Sequence, residues 1–475
     1  MKMFQFVVNR FFAYTLVIGF CFFSCNKPEL SNHCDLNSNE FLNSILLKFA
    51  IADFSPHCSV STALSLSGSI VGLTTSGMVL RTSTGSELSV PPGATSFSIP
   101  IASGFGSKYT LSIAKQPDTI ACVVHNGWEG TLILGISNIQ IICHTTTAKR
   151  VYGQVDFISA TSANPPNQNS LSSPSFVLAD ELGIYVSDSG NTRVLYYSGD
   201  ITSASRVIGQ ANFGSNASAT SSSGIAYPTG LAKDSFGLYL ADLNNFRVLY
   251  FEGTNNIASR VYGQVDFNTA VSAPYAAADV ITGPYGMAAD KDGYYVVDNS
   301  NHRVLYFPNG SYSASRVYGQ TSFTGNTSNC TATTLGSPEG VAVSSDGVYI
   351  ADTGNHRVLF YPGTSTTATR VYGQPNFTSN LGNNGGIGAG TLNAPRGVFA
   401  MGGDVWIADT TNNRILLYSG TNTTASKVFG QSGNGSFTLS ASGLSATALS
   451  FPQSISINGE GIFVADSINH RVIMY

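Results

Sequence analysis

An internal repeat constrains this chain more than any other feature of its sequence. An Asp followed five residues later by Arg and an apolar run occurs at Asp188/Arg193, Asp242/Arg247, Asp298/Arg303, Asp352/Arg357, Asp409/Arg414 and Asp466/Arg471. Successive arginines stand 54, 56, 54, 57 and 57 residues apart. A second mark, basic-Val-aromatic-Gly-Gln, begins at Arg150, Arg260, Arg316, Arg370 and Lys427, and Arg206 opens the same element with Ile208 at the aromatic place. A third, Pro-x-Gly before an apolar strand, falls at Pro228, Pro284, Pro338 and Pro395; Pro174 and Pro452 open the same element with Phe176 and Ser454 in place of Gly. Each unit reads as four short strands, a pattern that predicts stacked or radially arranged sheets. The phase of the repeats favours a closed ring. The first Arg-Val-Tyr-Gly-Gln element, 150–154, precedes any of these strand-opening prolines, and the sequence stops at Tyr475 after the third strand of the last unit. Residues 150–154 can therefore supply the missing fourth strand, which removes two open sheet edges.

The segments Asn301-His302-Arg303, Asn355-His356-Arg357 and Asn469-His470-Arg471, each with an Asp and a Pro upstream, resemble NHL repeats. Asn191-Thr192-Arg193, Asn245-Phe246-Arg247 and Asn412-Asn413-Arg414 lack the His. The resemblance implies an all-β fold, with a six-bladed propeller of four-stranded blades over 147–475. It also implies a binding scaffold, with lyase and lactonase enzymes among related propellers. In that frame the repeated Asp and Arg are structural, a charge-assisted pair that fixes the turn between two strands. The three motif histidines occupy equivalent places around a ring and cannot converge on one metal.

The enzyme alternative, a lyase or lactonase acting at the central channel, would need ligands at the channel mouth. The residues following the blade-opening prolines are the candidates: Ser175, Thr229, Tyr285, Glu339, Arg396 and Gln453. One carboxylate among six is poor provision for a hard cation, which wants several oxygen ligands. Tyr285, Glu339, Arg396 and Gln453 instead suit a polar ligand, and no catalytic residue, metal or cofactor is assigned. Nucleic acid is excluded on charge. Residues 150–475 hold 15 Lys and Arg against 20 Asp and Glu, and only Lys233, Lys291 and Arg396 fall outside the two repeated basic positions. A nucleic-acid binder needs a free basic surface. The connections between each Gly-Gln and the next blade-opening Pro are long, rich in Ser, Thr, Asn and Gly, and carry a Phe near their start: Phe157, Phe213, Phe267, Phe323, Phe377 and Phe437. Loops of this length are uncommon unless functional or disordered, so these read either as solvated connectors stapled by the Phe or as a docking face. They predict a broad uncharged face for a protein or glycan partner, on a monomeric protein.

The N-terminal third carries the address. A 13-residue apolar run, 11–23, follows Lys2 and Arg10 and ends in Ser24-Cys25. It is too short to span a bilayer and fits a signal-peptide core over 1–24. The sequence Phe22-Phe23-Ser24-Cys25 resembles a relaxed bacterial lipobox, which implies lipidation of Cys25 and residence in the cell envelope, at the outer membrane. Residues 25–58 read as a spacer. Residues 59–146 alternate apolar and polar side chains between turn signals and resemble an immunoglobulin-like β-sandwich of bacterial surface proteins. Cys122 and Cys143 fall in two of its strands and are expected to pair; Cys34 and Cys58 form a second possible pair and Cys330 is left over. His125 and His144 are expected at surface or turn positions. Charged residues make up only 11% of the chain, against about 25% in an average soluble domain. That is an extracellular style of surface.

Overall fold

The computed structural model describes residues 64–104, 106–132, 135–431 and 435–475, together with Asn43 and Leu47, both helical. The signal segment, Cys25, Cys34 and Cys58 lie outside the described residues. Among the described residues no helix is long and apolar enough to cross a membrane.

Eight four-stranded sheets account for the described strands. Six of them repeat one antiparallel plan and are numbered I to VI in chain order. Sheet I comprises Phe176–Asp180, Gly183–Asp188, Arg193–Ser198 and Arg206–Ile208. Sheets II to V repeat it over 228–262, 284–318, 340–372 and 398–429. Sheet VI, Pro452–Ile457, Ile462–Asp466 and Arg471–Met474, takes Arg150–Tyr152 as its fourth strand, with Val472 opposite Tyr152 and Ile473 opposite Val151. The first strand of each sheet neighbours the first strand of the next, and that of sheet VI neighbours that of sheet I.

The Pro-x-Gly signature follows from this crowding. A Cβ on Gly230 would lie 2.1 Å from the carbonyl oxygen of Tyr285 in the next sheet. Only hydrogen fits there, so the first strands can approach backbone to backbone. Sheet VI solves the same contact differently. Ser454 replaces the Gly, and its hydroxyl accepts a hydrogen bond from Val177 N in sheet I at 2.8 Å, with Ser456 repeating the bond to Ala179 N at 2.9 Å. Further out, aromatic and aliphatic side chains fill the space between sheets. Tyr239 of sheet II stacks on Tyr294 of sheet III at 4.4 Å between ring centres, a contact that adds to the hydrophobic term.

The remaining two sheets form the preceding module. Ser96–Ile101, Leu64–Val71, Ile136–Thr145 and Ile120–Asn126 make one; Glu87–Val90, Met78–Thr82, Lys108–Lys115 and Glu129–Thr131 make the other. Cys122 and Cys143 are bonded across paired strands. His144 is not at the surface, contrary to the sequence reading: it is buried beside this disulfide, and burial pushes its imidazole down to about 4. The module does not stand clear of the repeated sheets. Ala121 and Val123 share a core with Trp406 of sheet V and Ile457 and Tyr475 of sheet VI, and Lys427 Nζ donates to Asp118 O at 2.6 Å.

Candidate functional site

The two ends of the repeated sheets are built differently, and one end carries the candidate site. It holds the turns between second and third strands, the starts of the first strands and the six long connections. In sheets I to V the turn is a short 3-10 segment such as Ser189–Asn191, closed by a residue with positive φ, Thr192, Phe246, His302, His356 or Asn413; sheet VI makes an ordinary turn over 467–470 with His470 in the same place.

The repeated Asp and Arg sit beneath these turns, and all twelve are buried. In sheet III, Asp298 accepts from Arg303 Nε and Asn301 Nδ2 at 2.8 Å each and from the N–H groups of Thr282 and Gly283 at 3.0 Å. Burial pushes the carboxyls of Asp188, Asp242, Asp352, Asp409 and Asp466 up, while the arginine and the surrounding donors pull the other way. Every partner is a donor, so the ionised form is the one this geometry accommodates. The arginine does more than neutralise the charge. Arg303 Nη1 donates to Phe323 O, and Nη2 donates to Ala277 O and Val280 O at 3.0 and 2.9 Å. The same bond runs from Arg193 to Phe213 O, Arg247 to Phe267 O, Arg357 to Phe377 O, Arg414 to Phe437 O and Arg471 to Phe157 O. Each guanidinium thus grips two successive long connections. The Gln of each Gly-Gln adds a further tie: Gln320 Nε2 donates to His302 O and to Thr327 O at 3.0 Å. The connections are therefore tied down by buried groups.

The motif histidines join one sheet to the next. The N–H of Ser337 donates to His302 Nδ1, that of Ala394 to His356 Nδ1 and that of Ser173 to His470 Nδ1, at 2.9 to 3.0 Å. In sheet V, Asn413 Oδ1 accepts from Phe451 N in the same way. The residues so held precede Pro174, Pro338, Pro395 and Pro452 and have positive φ, from 46° to 58°. A residue before Pro normally adopts extended backbone, so the bond holds a costly conformation. Sheets I and II have Thr192 and Phe246 at this place and lack the tie: Tyr227, before Pro228, takes a φ of 61° without it, and Gly283, before Pro284, does not adopt positive φ. Burial holds all three imidazoles below their ordinary value, consistent with the neutral acceptor role.

One repeated polar residue has no part in the sequence reading: the one directly after each Asp. Ser189 Oγ donates to Pro228 O, Asn299 Nδ2 to Pro338 O, Thr353 Oγ1 to Pro395 O and Thr410 Oγ1 to Pro452 O, at 2.6 to 2.9 Å. Where Leu243 interrupts the series, Thr229 Oγ1 reaches Pro284 O at 2.9 Å. The available signal was a polar side chain at this place in five of six repeats.

Ser175, Thr229, Tyr285, Glu339, Arg396 and Gln453 line one cavity, joined by Tyr227. Its volume is about 70 Å³, room for roughly two waters, whereas ligand pockets run to about 300 Å³ and more. Ser175 and Thr229 are occupied in bonds to the next sheet, and Gln453 Nε2 donates to Ser467 Oγ at 2.9 Å. Glu339 and Arg396 pair at 3.1 Å, and the guanidinium lies 4.8 Å over the Phe451 ring, with its Nε buried and unpartnered. Burial raises the Glu339 carboxyl against the pull of Arg396, and burial with Glu339 nearby raises the Tyr285 hydroxyl. The mouth therefore presents one compensated ion pair in a ring of hydroxyl and amide groups. Among the described residues no group of three His, Cys, Asp or Glu could hold a metal ion.

An NHL repeat model matches residues 335–360, the segment holding Asp352, His356 and Arg357. No curated protein matches the chain. Solved structures of similar arrangement include an auxiliary nutrient binding protein from Bacteroides thetaiotaomicron, 13% identical over 84% of this chain and 90% of that one, with a TM-score of 0.43. Another is a catalytically inactive virginiamycin B lyase from Staphylococcus aureus, 12% identical over 66% and 98%, TM-score 0.38. A glutaminyl cyclase from Myxococcus xanthus is 10% identical over 69% and 94%, TM-score 0.33. Likenesses this distant leave ligand and chemistry to the residues themselves. The repeated sheets and the matched segment define an all-β protein of the propeller type carrying an NHL repeat.

Proposed function

We propose that the six repeated sheets form a six-bladed propeller, closed by Arg150–Tyr152 and preceded by an immunoglobulin-like module, that acts as a non-enzymatic binding scaffold in the bacterial envelope. The observation that carries the binding reading is the state of the long connections. Asp156, Asp266 and Asp279 are their only charged residues, yet each connection is gripped from below by a buried arginine. Ordering a loop in advance lowers the entropy cost of binding through it. The surface so presented includes Val155 and Val265, about nine-tenths exposed, with Tyr275 and Leu381 also outward. Apolar and amide groups on a fixed scaffold suit a neutral glycan or an uncharged protein surface better than an ionic partner. The Glu339–Arg396 pair supplies one polar contact at the centre, and the small mouth cavity favours surface recognition over engulfing a substrate.

Lipidation of Cys25 would hold this face at the membrane. Two or more acyl chains anchor stably, at about 0.8 kcal/mol per buried CH₂. Mass spectrometry of the mature protein should find acylated Cys25 at its N-terminus, and Cys25→Ser should release the protein; an unmodified N-terminus elsewhere contradicts the anchor. Binding is tested by screening the full chain on an array of neutral glycans and against uncharged protein ligands. Val155→Asp with Val265→Asp should abolish any binding found without changing Tm. Retained binding in that variant overturns the loop-face reading.

A further inference from the structure

Asp404 breaks the repeat at a position where the other five sheets agree. Five residues before the conserved Asp stand Gly183, Gly237, Gly293, Gly347 and Gly461; sheet V has Asp404. The glycines are required by crowding: a Cβ at Gly237 would lie 2.3 Å from Phe251 O, and one at Gly293 2.2 Å from Phe307 O. Sheet V makes room through a different hairpin, with Gly402 and Gly403 both at positive φ and Asp404 opposite Met401. The carboxylate it admits is buried, and one bond serves it, from Gly420 N to Oδ1 at 3.2 Å. Oδ2 has no partner. Among the described residues no cation pairs with it, unlike the six repeated aspartates, and burial pushes its carboxyl far above the ordinary carboxylate range. A buried carboxyl left so poorly served is costly unless something completes it.

What surrounds it indicates what that is. Asp404 lines a cavity of about 270 Å³ where sheets IV and V meet the preceding module. Its other polar and aromatic walls include Asp346, Tyr349, Glu129, Trp128 and His125, and none of its lining residues is Lys or Arg. His125 Nδ1 is likewise buried and unpartnered. The acidic groups are too dispersed for a metal, since no trio among the described residues could hold one. An alkylammonium fits better. Its three N–H donors can be shared among separated acceptors, and aromatic walls attract a cation.

The geometry points to a binding site for a primary alkylammonium, either a free diamine or the lysine side chain of a partner, in this cavity with Asp404 as its buried acceptor. The site lies at the opposite end of the sheets from the long connections and does not depend on the function proposed for them.

Isothermal titration of the full chain with cadaverine, with N-acetyl-lysine methylamide and with neutral 1,5-pentanediol tests the proposal. Saturable binding of at least one amine is expected, with the two amine arms showing whether the free diamine or the lysine side chain is the better ligand. The diol should bind at least about tenfold more weakly. Asp404→Gly installs what the other five sheets carry and should cost the amine about tenfold or more. Glu129→Gln, at an exposed residue, should weaken the amine several-fold and guards against misfolding of the first variant. Failure of both amines to saturate, equal affinity for the diol, or unchanged affinity in Asp404→Gly or Glu129→Gln overturns the assignment.

Discussion

At one end of the six repeated sheets every turn is built from the same buried polar groups; at the other, the hairpins differ from sheet to sheet. The first end holds the Asp, Asn and Arg cassette, with the His or Asn tie to the next sheet. The second holds short hairpins, covered over sheets V and VI by the preceding module and open over sheets I to III. There a groove of about 990 Å³ is lined by Asp180, Lys233 and the exposed Leu182 and Phe236. The contrast separates two kinds of charged residue. Asp and Arg that recur in every sheet are architecture, because each ring contact poses the same problem and receives the same solution. Charged residues that occur once, such as Glu339, Arg396 and Asp404, answer no repeated need and are where specific contacts are to be sought.

The largest expected effect lies in the repeated cassette. Arg303→Ala strands a buried carboxylate and frees two connections, and should lower stability by about 3–5 kcal/mol in a denaturant titration. Arg81→Ala, which breaks an exposed pair with Glu87, should cost no more than about 1 kcal/mol. Equal losses in the two variants would erase the distinction between buried and exposed pairs.

Next comes the pH dependence of the sheet-to-sheet ties. His302, His356 and His470 have folded values depressed below 6.5 by burial, so unfolding takes up protons as the pH falls through that value. Their contribution is fully present above about pH 6.5 and is lost as the pH drops toward the folded values. Replacing all three with Asn, the residue sheet V uses as Asn413, should keep the fold and flatten this slope in thermal melts across that window. The buried His144, pushed down to about 4, adds a contribution of the same sign that these substitutions leave in place. A smaller effect is expected at the residue after the Asp: Thr353→Val removes the bond to Pro395 O and should cost about 1 kcal/mol.

Repetition also decides what was legible before the structure. Asp188 to Arg471 could be read as structural pairs because six copies at fixed spacing leave little room for another role. The element at Arg150 could be read as a strand in need of a partner because its phase is offset from the others. The bonds made by Ser189, Asn299, Thr353 and Thr410 were harder to see. Their identity varies, and their acceptor is a carbonyl some 40 residues away in the next sheet. Tyr285, Glu339, Arg396 and Gln453 could be grouped from their place after each Pro, but not the pairing of Glu339 with Arg396 across neighbouring sheets. Asp404 was visible as one departure among five glycines, yet its meaning depends on burial that only packing reveals. The contact of Ala121 and Val123 with Trp406 lay beyond sequence pattern altogether, since alternation shows which face of a strand is apolar and not what covers it.

The claim underlying the proposed function is that the long connections form one fixed surface held by buried arginines. Hydrogen exchange of the intact protein, followed by mass spectrometry, tests it directly. Peptides spanning Phe213, Phe267, Phe323 and Phe377 should be protected well above a free chain, and Arg303→Lys should release the connections around Val280 and Phe323 while leaving that around Phe213 protected. Free-chain exchange in all four connections of the unaltered protein would contradict the account.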